Sequence, residues 1–366
     1  MQDIKFDSIG SMVAPLCFLP SGKLICYRYG KLLIMQERKV IKSHQLFSSF
    51  KETILGRCKL AVRLLRLGIR SAIAVDEENV ILCVGTRLYE VNLTTGVMSS
   101  GFDCGYRTRP LVFSEIKGVE GFDDGIYFGE YLINFDKKPV NVLRRSGKDQ
   151  WDAVYTFPQG AINHIHNVVP DPYRKCVWIF TGDFDEAAAI WKATDNFKTV
   201  ERVAYNDQKY RGCVVFALPE GLLYATDAPF ADDYIYLMNP ETYETKAIAP
   251  ISGSCIYGCR WKDKFVFSST VEGDGRERSK FEKIIGWSRG SGIKDDYAHL
   301  YVGKLEEGFK DVYKAKKDIW SFLFQFGVFK FPIGENNSDT LWFLPVAVKR
   351  ENLKLCSLKT ELCQED

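Results

Sequence analysis

Short apolar runs, roughly four to eight residues each, recur along almost the whole chain and are separated by turn-forming clusters. Many of them alternate apolar and polar positions. Arg87-Leu88-Tyr89-Glu90-Val91-Asn92-Leu93-Thr94-Thr95-Gly96 is one such run, closing on a glycine. Successive strand side chains point to opposite faces, so this alternation predicts a half-buried β-strand followed by a turn. The stretches Asp233–Thr242 and Ala189–Thr199 repeat the form.

A second kind of run is more continuously apolar. Gly125–Glu130, Val177–Asp183, Leu222–Asp227 and Phe265–Glu272 are aromatic-rich strands that pass through small residues and end on a carboxylate. Those carboxylates, Glu130, Asp183, Asp227 and Glu272, are spaced by 53, 44 and 45 positions. A strand-rich repeat of that period predicts propeller blades rather than a helical solenoid. Strand clusters place blades near 11–46, 60–102, 106–147, 160–204, 209–249, 252–315 and 317–358. The expected fold is all-β, a seven-bladed β-propeller of four-stranded antiparallel blades, one domain over 1–366. The first residues are expected to pair with the last blade and close the ring, which removes the free sheet edge.

Two segments break the repeat. Residues 46–70 carry Leu55, Cys58, Val62 and Leu65 at helical spacing, with Arg57, Lys59, Arg63, Arg66 and Arg70. This reads as an element packed between blades with solvated arginines, or as a basic amphipathic helix on a membrane surface. Residues 272–300 are polar and glycine-rich, with alternating charge from Arg276 to Lys283, and read as a long exposed hairpin loop. Such loops shape binding mouths or subunit contacts.

Composition supports the strand reading. Of 366 residues 14% are aromatic, and aromatic side chains suit pleated, half-buried surfaces. The net charge of +2, without a charged tail, gives no support to a nucleic-acid partner. No run reaches the roughly 18 apolar residues of a transmembrane helix. The N-terminus has no basic region followed by an apolar one, and the 11 scattered cysteines read as reduced thiols, so a cytoplasmic location is expected.

Candidate chemistry gathers at the expected blade mouths. The repeat puts Glu130, Asp183, Asp227 and Glu272 at equivalent positions, hence on a ring around the channel, with Arg28 and Arg87 on its other side. Asn163-His164-Ile165-His166-Asn167 holds two of the 4 histidines, two apart and so on one strand face. His164 and His166 read as an acid/base with its partner, as two metal ligands, or as a hydrogen-bonded structural pair. Zinc or manganese needs further ligands, and no third histidine stands at a ligand spacing, so no metal or other cofactor is expected. Arg109, in Tyr106-Arg107-Thr108-Arg109-Pro110, and Arg211, in Gln208-Lys209-Tyr210-Arg211, open blades and suit carboxylate or phosphate recognition. Gln208, Tyr210, Tyr257 and Gln325 complete the expected binding set with Glu272. No GxGxxG, GxxxxGK[ST] or GxSxG string occurs, nor the WD and GH signals of WD40 repeats.

Phe128-Gly129-Glu130-Tyr131, His164-Ile165-His166, Thr181-Gly182-Asp183, the Asp195 hairpin and Gln208 with Arg211 together resemble sialidase-like (Asp-box-related, BNR) propellers. In the Asp-box pattern SxDxGxTW, Asp195 and Thr199 match while Ala193 and Phe197 do not. The chain is similar to bacterial glycosyl-hydrolase-like proteins of surface-polysaccharide loci. It lacks the Arg-Ile-Pro motif and the regular Asp-boxes of true sialidases, so their catalytic groups do not transfer. The resemblance implies a carbohydrate ligand. One reading is a glycoside hydrolase or polysaccharide lyase acting on an anionic saccharide, with His164, His166, Glu130, Asp183 and Asp227 as catalytic groups. The other is a non-catalytic sugar-binding or scaffold protein, with peripheral membrane or homo-oligomer contacts.

Overall fold

The computed structural model describes residues 7–183, 185–274 and 284–359. Seven antiparallel sheets follow one another around a closed ring. Blade 1 is built from Ala14–Phe18, Leu24–Arg28, Lys31–Gln36 and Lys39–Gln45. Blade 2 follows with Ser71–Ala74, Asn79–Val84, Arg87–Asn92 and Phe102–Asp103. Blade 3 has a broken first strand, Arg109–Pro110 and Ser114–Ile116, and both pieces pair with Gly125–Tyr131. Blade 4 consists of His164–Asp171, Cys176–Gly182, Ala189–Thr194 and Thr199–Tyr205, and blade 5 of Gly212–Leu218, Gly221–Thr226, Asp233–Met238 and Thr245–Ile251. Blade 6 uses Cys255–Trp261, Lys264–Ser269, Tyr297–Lys304 and Gly308–Lys316. Blade 7 uses Val328–Lys330, Thr340–Val346 and Lys354–Lys359, and takes its outermost strand, Asp7–Ser11, from the start of the chain.

The ring closure and the seven blades are those the strand pattern predicts. The blade 3 limit differs. Gly147 ends the third strand at a hairpin, and blade 3 continues through Gln150–Phe157. Blade 2 begins at Ser71, and residues 60–70 belong to the interruption before it. Arg276 to Lys283 of the second interruption lie outside the described residues.

Each gap between neighbouring blades holds its own apolar cluster. Ile116, Tyr127, Phe157, Ile165 and Ile179 fill the gap between blades 3 and 4, and Trp178, Phe180, Tyr224 and Met238 fill the next. A strand in the middle of a blade has a neighbouring sheet on both faces, which is why Cys176–Gly182 is buried along its whole length. Large aromatic rings span these gaps.

The first strand of each blade lines the central channel. In blades 1, 4, 5 and 6 this strand carries the same irregularity, one extra residue near its start: Leu16, His166, Cys213 and Ile256. Such a bulge re-aims side chains at a strand end.

The 46–70 interruption forms two short helical turns, Phe50–Thr53 and Lys59–Leu64, joined by a tight turn at Leu55–Arg57. It lies against blade 7 at the channel mouth. Arg63 is not solvated, contrary to the sequence reading. It is buried, ion-paired with Asp318 and bonded through Nε to the Phe324 carbonyl. No helix among the described residues is long and apolar enough to cross a membrane.

Candidate functional site

The first strands all begin at one mouth, and that mouth collects most of the polar side chains singled out from the sequence. Counted from the bulges, His164, Arg211 and Ser254 are equivalent, as are His166, Cys213 and Ile256. The carboxylates are not equivalent. Asp227 lines up with Gly182 and Thr270, Asp183 comes one position later, and Glu272 two positions later. Asp183, Asp227 and Glu272 nevertheless converge, because the loops after their strands turn inward.

Glu130 does not join them. Its Oε2 accepts from the Asn141 backbone N–H at 2.7 Å, inside its own blade. The neighbouring Tyr131 faces the channel instead, its ring 4.4 Å from that of His164. Strand alternation gives the reason, since adjacent residues point oppositely. Arg28 and Arg87 are also elsewhere: Arg28 lies over Tyr29, and Arg87 pairs with exposed Asp103.

His164 and His166 form a buried dyad with Nε2 atoms 3.1 Å apart. His164 Nδ1 lies 2.8 Å from the Leu132 carbonyl, which only accepts, so Nδ1 carries the hydrogen. Asp183 Oδ1 lies 3.3 Å from His164 Nε2 and 3.7 Å from His166 Nε2. Gly182 lets the rings sit there, because a Cβ at that position would fall 2.3 Å from His166 Cε1. Burial pushes His166 below the ordinary imidazole range against the pull of Asp183, and keeps it neutral at pH 7. Burial alone would raise Asp183, but the two histidines beside it and the charge of Arg211 hold it well below the carboxylate range.

Arg211 is buried and binds inward rather than reaching for a ligand. Its Nη2 lies 3.1 Å from Asp183 and 3.3 Å from Asp227, and its Nη1 donates to the Asp183 carbonyl at 3.0 Å. Burial opposes its charge, but Asp227 and Asp183 outweigh that and hold the guanidinium charged. Gln208 bonds the same Asp183 carbonyl at 3.3 Å. Tyr210 packs into the gap between blades 4 and 5, away from the mouth. Glu272 accepts from Thr270 Oγ1 at 2.8 Å. Burial and the nearby charge of Asp227 push it up to about 7. Gln325 is buried, with Nε2 bonded to the Arg63 carbonyl.

Below the mouth the channel encloses a cavity of about 360 Å³. Its wall is mostly apolar, with Cys213, Tyr257, Gln325, Lys330 and Arg70 among the exceptions. Arg70 has two companions, Arg66 and Arg109. Burial and the charges of Arg109 and Arg66 bring Arg70 down to about 10. The Arg109 guanidinium lies 4.9 Å from the centre of the Tyr131 ring. None of these three arginines has a carboxylate partner among the described residues. The mouth is therefore basic beside blades 2 and 3 and acidic beside blades 4 to 6.

Cys213, Tyr131, Arg66 and Arg70 were not identified as site residues from sequence. Aligning His164-Ile165-His166 with Arg211-Gly212-Cys213, instead of aligning the later carboxylates, brings out Cys213. Arg66 and Arg70 lie in the interruption, which has no repeat to align.

No family model matches the chain, and no curated protein matches it. Solved propellers do. The AfRom2 CNH domain is 7% identical over 97% of this chain and 98% of that one, with a TM-score of 0.53. The Cps50 (Swd1) β-propeller domain of Myceliophteria thermophila is 9% identical over 97% and 100%, with a TM-score of 0.55. The extracellular domain of the hybrid two component system BT3049 from B. thetaiotaomicron is 10% identical, covering 98% of this chain and 42% of that chain, with a TM-score of 0.57. The class these likenesses and the sheets define is the seven-bladed β-propeller. At such identities they establish the fold alone.

Proposed function

We propose that the channel mouth binds an anionic saccharide. The observation that carries this reading is the cluster of Arg66, Arg70 and Arg109, which has no carboxylate partner among the described residues and sits over a cavity of about 360 Å³. Unpaired guanidinium groups in a partly buried site favour a carboxylate or sulfate. Glu272 and Tyr257 on the facing wall offer partners for hydroxyl groups, and the apolar wall suits a sugar ring face. The sialidase-like sequence strings point to the same ligand class.

Binding is better supported than turnover. Both nitrogens of His164 face protein groups, and Asp183 and Asp227 are bridged by Arg211. These groups stiffen the acidic wall. Hydrolase or lyase action remains an outcome of the test. Calorimetric titration with N-acetylneuraminic acid and with oligogalacturonate should show binding, and neutral malto-oligosaccharides should not bind. Arg70→Ala should weaken the acidic ligand about tenfold or more, the worth of a charge-assisted hydrogen bond. New reducing ends or unsaturated uronate on incubation would establish catalysis as well. Failure of every acidic saccharide to bind at millimolar concentration overturns the proposal.

A further inference from the structure

The acidic wall contains a second, separate set of donors. A ring nitrogen of His166, Cys213 Sγ and a carboxylate oxygen of Asp227 lie within 4.8 Å of one another, and all three side chains are buried. Cys213 Sγ is already 3.4 Å from Asp227 Oδ2. Donors around a tetrahedral zinc ion stand about 3.3 to 3.8 Å apart, given its bond lengths, so the set needs to contract only slightly.

Two atoms of the set have no hydrogen-bond partner although they are buried: His166 Nδ1 and Asp227 Oδ1. The residues are 2% and 4% exposed, so neither atom is simply left to solvent. An orphaned buried acceptor is costly and calls for an explanation. The dyad geometry supplies one for His166. A hydrogen on its Nε2, donated to His164 Nε2, leaves the Nδ1 lone pair bare. The fixed tautomer and the supporting contact on the other ring nitrogen are what a histidine ligand needs.

We infer that His166, Cys213 and Asp227 form a zinc site on the channel wall. Imidazole, thiolate and carboxylate donors together suit zinc over magnesium or calcium. Cys213 lines the cavity, so the fourth coordination position opens toward the channel. Uptake forms the zinc–sulfur bond at the expense of the S–H bond, and the proton leaves to solvent. Charge favours this. Asp183, Asp227 and Glu272 face the single guanidinium of Arg211, and a dication offsets that excess of acid. The bulges at His166 and Cys213 give both ligands the same place in adjacent blades, which is how one point on the wall receives both. The site does not depend on the saccharide reading, since none of its ligands belongs to the arginine cluster.

Cobalt(II) is the probe. Full-length protein stripped with a chelator is titrated with cobalt chloride and followed by absorption. One equivalent should bind, with a near-ultraviolet thiolate-to-cobalt charge-transfer band and visible bands of tetrahedral intensity. Zinc chloride should displace the cobalt and abolish both. Cys213→Ser should lose the charge-transfer band while keeping the wild-type circular dichroism, and Asp227→Asn should reduce the bound cobalt. Cys58→Ser, which alters an exposed thiol, should leave the band unchanged. Absence of the band in wild type, or its survival in Cys213→Ser, overturns the site.

Discussion

Histidine is put to two opposite uses in this chain. In blade 4 it is buried neutral, as His166. In blade 6, His299 is buried between two acids, Asp311 at 2.7 Å from Nδ1 and Asp295 at 3.0 Å from Nε2. Burial works against its charge, but the hydrogen bonds and charges of Asp311 and Asp295 win and raise it above the ordinary imidazole value. Tyr301 stacks on the ring, Tyr297 meets it edge-on, and Lys314 opposes it across the strand pair. A raised folded value means stabilisation that is full below the unfolded value of about 6.5 and is lost as pH rises through the folded one. Denaturant titrations should therefore show this contribution fading above pH 6.5, and His299→Gln should remove that part of the pH dependence. His164 and His166 were legible because a spacing of two on a strand puts both on one face. Glu130 was misassigned because a carboxylate at a repeat period looks alike whichever way its strand is turned.

The element that departs most from the sequence reading is the 46–70 interruption. Its basic residues suggested a solvated or membrane-facing surface. In the fold, one of them anchors it. Asp318 accepts from Arg63 and from Lys317 Nζ, the latter at 2.8 Å, and both cations are about 1% exposed. Burial pushes Lys317 down to about 8, and the Asp318 contact limits the fall. Burial would raise Asp318, but the bonds from Arg63 and Lys317 hold it below the carboxylate range. Asp318→Asn leaves two buried cations without their counter-charge. It should lower the unfolding free energy by about 3–5 kcal/mol, the usual cost of breaking a buried pair. Limited proteolysis should then cut within residues 46–70, while Lys317→Met should be much milder. Helical spacing identified the turns here. It gave no indication that their polar face would meet the stretch leading into blade 7, since the partner is 255 positions away.

For the whole molecule, the decisive contact is Asp7–Ser11 against Lys354–Lys359. It gives blade 7 its fourth strand and joins the two ends of the described chain. Truncation through Ser11 should leave the Lys354–Lys359 edge unpaired and lower the thermal midpoint. Exposed edges template pairing with other chains, so the truncated protein should also elute as oligomers in size-exclusion chromatography. A full-length melt unchanged by the deletion would refute the closure as a source of stability.

The blades, their number and the closing strand follow from the local pattern, because period-two alternation and turn chemistry act over a few residues and repeat. The presence of polar groups at strand starts follows in the same way. The composition of the site does not. Whether Arg211 grips a ligand or the neighbouring acids, whether Glu130 or Tyr131 faces the channel, and that Cys213 stands beside His166 depend on bulges and on contacts between blades. A bulge shifts facing by one residue and leaves no mark in composition. That Arg66, Arg70 and Arg109 have no carboxylate partner among the described residues is likewise a property of the assembled ring, since only folding decides which carboxylates come within reach of them.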